Sequence, residues 1–266
     1  SYTMVYQVMA VCMLPGIIVT LMAPEPGTPA GTPQTLAEAV VTPLTEYFRR
    51  DGAVLILVFI LLYKIGDSMA AAMTIPFYLD IGFNKTQIGA VVKLFGFWAT
   101  IFGGITGGLL MLYTGITRCL WIFGGLQAIS TAGFALLAAM GNSIAGLSAV
   151  IAFENLSSGM GTAAFVAYMA SLTNKKFTAT QYALLSSLMG IPRVLAATPT
   201  GYMAKHFGWV TFFLFCTVIA IPGMLLLFRV APWSTKDQRT ENSVSEDGLP
   251  ETRTVGNKKR PEDRNQ

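Results

Sequence analysis

Residues 52–79 read GAVLILVFILLYKIGDSMAAAMTIPFYL, and this stretch decides the fold. Its first half is an unbroken apolar run of Leu, Ile, Val and Phe. A bilayer core about 30 Å thick needs roughly 20 apolar residues per helix, and this segment exceeds that length. Lys64 and Asp67 stand near its middle. A charge there costs at least about 2.5–3.5 kcal/mol on insertion scales, so such residues persist for a reason.

The same pattern recurs along the chain. Apolar stretches lie at 2–23, 52–79, 87–113, 118–140, 144–170, 179–204 and 209–230. The whole chain is 53% hydrophobic and only 12% charged, with mean hydropathy +0.56. Soluble domains carry about 25% charged residues, so the deficit points to lipid as the solvent. The reading is an all-α membrane protein, a bundle of about seven transmembrane helices.

The segment 24–51 interrupts this pattern. Pro24, Pro26, Gly27, Pro29, Gly31 and Pro33 forbid a continuous helix. Leu36, Val40, Leu44, Tyr47 and Phe48 then recur at helical spacing, which predicts a short amphipathic helix on the membrane surface. The bundle therefore reads as one helix plus six. Residues 1–23 form the leading helix, 24–51 a central loop, 52–230 a six-helix body and 231–266 a tail. The tail is polar, with 7 basic and 7 acidic residues, and is expected to be disordered. The remaining residues carry 11 basic against 7 acidic groups, so the excess charge belongs to the membrane body. It is no nucleic-acid footprint. The chain starts at Ser1 directly in an apolar run, without the features of a signal peptide, and reads as beginning within a larger membrane protein.

Basic residues in short loops set orientation. Arg49, Arg50, Arg118, Lys175 and Lys176 fall on one side, against Lys85 and Lys205 on the other. The first side, and with it the tail, is expected in the cytoplasm.

Function is read from polar residues inside the spans. Lys64 and Asp67, at i and i+3, share a helix face and could neutralise each other. Alternatively Asp67 exchanges a proton while Lys64 meets an anion, with Gly66 and Pro76 letting the helix bend. Glu154 lies near mid-membrane, followed by Asn155, Ser157, Ser158, Gly159, Gly161 and Thr162. Such a polar run suits a water- or substrate-lined surface, or close helix packing with Glu154 paired to a base. Arg193, just after Pro192, needs a carboxylate, backbone carbonyls or an anionic ligand. Lys93 is close enough to its helix end to snorkel. Gln181, Ser186 and Ser187 read as interfacial. Gly103, Gly104, Gly107 and Gly108 form a small-residue packing face. Trp209, Phe212, Phe213 and Phe215 read as lipid-facing or interfacial.

Cys12, Cys119 and Cys216 lie far apart in apolar runs and read as small hydrophobes, and a single histidine, His206, supports no metal site. No cofactor is expected. Nucleophile elbows and nucleotide-binding loops are missing, so an enzyme or an ATP-driven pump is disfavoured. No filter loop suggests a channel. Broken helices with scattered midplane charges fit a secondary transporter. Ion coupling would then fall to Asp67 and Glu154, the carboxylates well inside the membrane.

Two stretches carry a resemblance. YFRRDGAVLILVFILLYKIGDSMAAAMTIPFYLDIGF (Tyr47 to Phe83) and FENLSSGMGTAAFVAYMASLTNKKFTATQYALLSSL (Phe153 to Leu188) resemble the C-terminal half of AmpG-type muropeptide permeases. The similarity runs from about residue 47 to 230, and Asp67 to Ala71 and Glu154 to Ala163 are its most specific parts. The family belongs to the major facilitator superfamily. The resemblance implies proton symport of anhydromuropeptides from periplasm to cytoplasm across the bacterial inner membrane. It also implies peptidoglycan recycling and a link to β-lactamase induction. On this pattern the leading helix is the sixth of twelve, and the substrate cavity is shared with an N-terminal half. Asp67 and Glu154 become proton carriers. Lys64, Arg193 and Lys93 become partners for anionic groups, and Asn155, Ser158 and Thr162 hydrogen-bonding residues for sugar or amide groups. The loop after 87–113 keeps Gly108, Gly115 and Arg118 but has Tyr113 and Thr114 where the superfamily expects an acid, so no gate latch is carried over. Two other readings stay open. One is a related carrier of another anion such as acetyl-CoA; the other is a non-transporting half-bundle acting in assembly or sensing.

Overall fold

The computed structural model of the protein describes residues 2–24, 35–49, 52–173 and 178–231. The Pro/Gly-rich run 25–34, Arg50, Lys175, Lys176 and the tail beyond Ala231 lie outside the described residues. Every regular element among those described is a helix. They are α1 (Tyr2–Met22), α2 (Leu36–Phe48), α3 (Ala53–Tyr63), α4 (Ile65–Asp80) and a short α5 (Lys85–Gln87). A π-helical stretch, Ile88–Phe95, leads into α6 (Gly96–Thr114). Then follow α7 (Ile116–Met140), α8 (Ile144–Ser171), α9 (Thr178–Leu188), α10 (Gly190–Leu195) and α11 (Thr200–Val230).

Five helical segments among the described residues are long and apolar enough to span a membrane: Thr3–Met22, Ala53–Asp80, Lys85–Thr114, Ile116–Met140 and Thr200–Val230. Helix α8 has the length, 28 residues, but its polar run from Glu154 to Thr162 dilutes its apolarity. The expected span 179–204 is broken instead. It is built from α9, α10 and the start of α11, with breaks at Met189 and over 196–199. Gly190, Pro192 and Pro199 explain this: proline removes a helix donor and clashes with the preceding turn. Within α11 the chain turns at Gly208, whose φ of 75° and ψ of 164° are not helical. The last two expected spans are therefore separated by one glycine.

Local signals account for several starts. Asn84 and Gln87 form a reciprocal capping box that opens the third span. Thr35 accepts from the Glu38 backbone N–H at 3.2 Å and caps α2. Helix α2 packs on α9 and α3, and its Tyr47 is buried. Gln181, read from sequence as interfacial, is also buried. Its Nε2 donates to the Pro43 carbonyl at 3.3 Å, which ties α9 to α2.

Helices in lipid gain little from hydrophobic association and pack instead through small residues. The pair α6 and α8 is the most extensive in the bundle. A Cβ on Gly103 would enter the Leu156 carbonyl, and one on Gly107 would lie 2.7 Å from Met160 Cα. Gly104 and Gly108 have open space where a Cβ would sit. The expected glycine face thus splits, with one row against α8 and the other unused. From α8, a Cβ on Gly159 would strike the Thr100 carbonyl and come within 2.9 Å of Gly104 N. Gly159→Val is therefore expected to cost about 2 kcal/mol through forced separation of α6 and α8. Gly104→Ala is expected to leave stability unchanged. Thermal unfolding of the detergent-purified protein compares the two.

Two aromatic cores sit at opposite ends of the bundle. Toward the end bearing Arg49, Arg118 and Arg229, Tyr63 stacks on Phe165 at 5.1 Å and 6°, beside Phe59 and Tyr168. At the other end Phe77 meets Phe213 at 4.8 Å, next to Phe134 and Phe212. Phe212 and Phe213 are fully buried, which corrects the lipid-facing expectation. With Cys216 one turn on, they belong to the core that α11 forms with α4 and α7. Phe215 does face outward, 42% exposed. Helix α1 is exposed from Thr3 to Met22.

Candidate functional site

Between the two aromatic cores lies a polar layer. It begins at Lys64, where α3 ends and α4 starts. Lys64 has φ −102° and ψ 0°, and caps both helices. The span expected to bend near Gly66 breaks two residues earlier, at the charged residue itself. Gly66 has another task. A Cβ there would strike the Cys216 carbonyl of α11, and a Cβ on Gly223 would lie 2.7 Å from Tyr63 Cα. The break is clasped by α11 through two glycines.

Lys64 is buried, 6% exposed, and its Nζ donates to Asp67 Oδ2 at 3.3 Å. This is the ion pair found among the described residues. Its Nζ also reaches Gln127 Oε1 of α7 at 3.5 Å. Mutual neutralisation of Lys64 and Asp67, one of the two sequence readings, is thus present. Asp67 keeps 24% of its side chain exposed and lines three adjoining pockets.

Glu154 comes from the middle of α8. No base pairs with it among the described residues. Instead Ser130 Oγ of α7 donates to Glu154 Oε2 at 2.5 Å. Glu154 and Asp67 face a common pocket of about 200 Å³ with Asn155, Ser158, Thr74 and Tyr78.

Asn155 is partly committed. Its Oδ1 accepts from Thr100 Oγ1 at 3.0 Å, and its Nδ2 donates to the Ile151 carbonyl at 2.9 Å. Arg193 is exposed on α10 and borders a second pocket of about 320 Å³ with Asp67, Ser68, Ala71 and Ala72. The two larger pockets share Asp67 and Ala71. So Asp67, Glu154, Asn155, Ser158 and Arg193 line two adjoining pockets, and Lys64 lies buried behind Asp67 and lines neither. Lys93 and Thr162 are exposed and line neither of these two pockets. Lys93 lies in the π-helical stretch.

Sequence reasoning missed Gln127 and Ser130, both buried. A search confined to ionisable residues passes over them. Their signal was an uncharged polar cluster, Gln127, Ser130 and Thr131, in the middle of an apolar span.

A layer of paired and hydrogen-bonded charges at a helix break, opening to a concavity, can exchange protons and hold an anionic solute. The profile of the Major Facilitator Superfamily matches residues 1–197. The chain is 42% identical over 246 residues to the anhydromuropeptide permease of Escherichia coli (strain K12), covering 92% of this chain and 50% of that protein. It is likewise 42% identical over 245 residues to an uncharacterized protein of Haemophilus influenzae, covering 88% of this chain and 58% of the relative. The chain thus spans about half the length of the curated relatives it matches. Broken apolar helices, a buried charge layer and a superfamily match over most of the chain lead to one assignment: this multi-pass membrane protein belongs to the major facilitator superfamily.

Proposed function

We propose that the chain supplies the C-terminal half of a proton-coupled importer of anhydromuropeptides in the bacterial inner membrane. The division is the one read from sequence: 1–23, a central loop at 24–51, a six-helix body at 52–230 and a cytoplasmic tail at 231–266. An N-terminal half completes the cavity.

One observation carries the reading. Two carboxylates, Asp67 and Glu154, share a pocket, and a buried ammonium, Lys64, pairs with Asp67. With both acids ionised this trio carries one net negative charge inside a membrane body, where charge is costly. Uptake of one proton neutralises it. Exposed Arg193 across the adjoining pocket is then placed to meet a carboxylate of the peptide stem. Asn155 and Ser158 offer hydrogen bonds to sugar or amide groups, and Lys93 and Thr162 reach cargo only from outside the concavity. The sign of the loop charges puts the end bearing Arg49, Arg118 and Arg229 in the cytoplasm.

The test is uptake of labelled anhydromuropeptide into vesicles containing the whole transporter. Uptake is expected to follow an inward proton gradient and to be competed by unlabelled muropeptide. Residues 1–266 alone are expected to give none. Gradient-independent uptake would remove the proton coupling, and failure of muropeptide to compete would remove the cargo.

A further inference from the structure

Ser130 carries one hydroxyl hydrogen and faces two acceptors. It reaches Glu154 Oε2 at 2.5 Å and the Gln127 carbonyl, one turn back on α7, at 2.8 Å. It is fully buried, so water does not compete for that hydrogen. The side chain of the same Gln127 accepts from Lys64 at 3.5 Å. Its Nε2 is buried without a hydrogen-bond partner among the described residues, beside a small cavity lined by Asp67, Tyr63 and Thr131.

We infer that Ser130 is a positioning residue whose hydroxyl turns with the protonation of Glu154 and, through Gln127, links Glu154 to the Lys64–Asp67 pair. The inference rests on the proton coupling proposed above. With Glu154 ionised, the Ser130 O–H donates to its carboxylate. When a proton from the aqueous side adds to Glu154, the new carboxyl O–H donates to Ser130 Oγ. The Ser130 hydrogen then turns to the Gln127 carbonyl. No other bond is made or broken. The Gln127 amide holds Lys64 by its oxygen and offers its Nε2 to Asp67 if Lys64 moves away. A buried donor used in both states switches without leaving a polar group unsatisfied.

The titratable groups lining these pockets are Asp67 and Tyr78 from α4, Tyr63 from α3, Glu154 from α8, Cys216 from α11 and Arg193 from α10. Lys64 completes the set through Asp67 and Gln127. Among the described residues, Ser130 is the side chain that donates a hydrogen bond to Glu154.

Thr131 supplies the control. Its Oγ1 donates to the same Gln127 carbonyl at 3.0 Å, and none of its hydrogen bonds reaches a carboxylate among the described residues. Two readouts are followed in the whole transporter: the alkaline limb of the pH profile of muropeptide uptake, and the pH titration of the carboxylic C=O infrared band that Glu154→Gln removes. Ser130→Ala is expected to move both by about one pH unit, tenfold in proton concentration, because the charge-assisted bond it loses is the stronger one. The uptake limb moves toward alkaline pH. Ser130→Cys, a weaker donor in the same place, moves both partway, and Ser130→Thr restores them. Thr131→Val, which removes a donor from the same carbonyl and leaves the carboxylate bond in place, moves both less than Ser130→Ala. An unmoved Ser130→Ala, or a Thr131→Val that moves as far, overturns the inference. If wild-type uptake ignores pH while the infrared band still moves in Ser130→Ala, the coupling reading fails and the Ser130–Glu154 link stands.

Discussion

Glu154→Gln in the whole transporter is expected to abolish gradient-driven accumulation of cargo while exchange of labelled for unlabelled cargo continues. Glutamine keeps the shape of the side chain and still offers an oxygen to Ser130 Oγ, which donates to Glu154 Oε2 in the wild type. It cannot release a proton, so the site is held in the neutral form. Each pH unit across the membrane stores about 1.4 kcal/mol per proton, a tenfold accumulation, and that factor is what the variant loses. Exchange needs only that the loaded carrier reorient. Vesicle uptake with an imposed pH gradient, run beside counterflow, separates the two. Accumulation at the wild-type level in the variant would remove Glu154 from the coupling. Asp67→Asn is expected to impair coupling too, but with a second cost, because it strips Lys64 of its partner at 3.3 Å.

That cost leads to the second large effect. Lys64→Met is expected to destabilise the fold by about 3 kcal/mol, since removing one partner of a buried pair strands the other charge. Lys64 is 6% exposed and ends one helix while starting the next. Asp67, with 24% of its side chain exposed, regains some solvation from the pockets it borders. The loss therefore falls at the low end of the buried-pair range. The double variant Lys64→Met/Asp67→Asn is expected to recover most of the stability, because replacing both partners leaves no charge behind. Neither form is expected to support uptake by the whole transporter. Thermal unfolding in detergent gives the comparison. A double variant no more stable than Lys64→Met would mean that Lys64 stabilises by packing and not by neutralising Asp67.

Much of the site was legible residue by residue. Lys64, Asp67, Glu154 and Arg193 announce themselves because charge is rare where lipid is the solvent. The polar run after Glu154 suited a lined surface or close packing, and it divides between them: Asn155 and Ser158 border the pocket shared with Asp67, while Ser157, Gly159 and Gly161 are buried. Gln127 and Ser130 were not legible in the same way. Neutral polar side chains occur in spans for packing as often as for chemistry. Only their distances to Lys64 and Glu154 separate the two uses.

The aromatic run of α11 shows the same limit. In sequence, Phe212, Phe213 and Phe215 are equally apolar. Lipid and protein core are equally good solvents for phenylalanine, so composition cannot say which ring faces which. Burial of Phe212 and Phe213 and exposure of Phe215 follow from where α4 and α7 stand. The four glycines of α6 divide for the same reason, since only one row meets α8.

The stretch 52–79 by itself determined that this chain lives in a membrane and that Lys64 and Asp67 share a helix face. Both conclusions rest on local quantities, the length of an apolar run and the helical period. The tertiary structure decided where that span breaks, which glycines let α11 close on the break, and that Glu154 takes a hydrogen bond from Ser130. Those are matters of distance between residues remote in sequence, set by how several helices pack at once, and no single segment holds them.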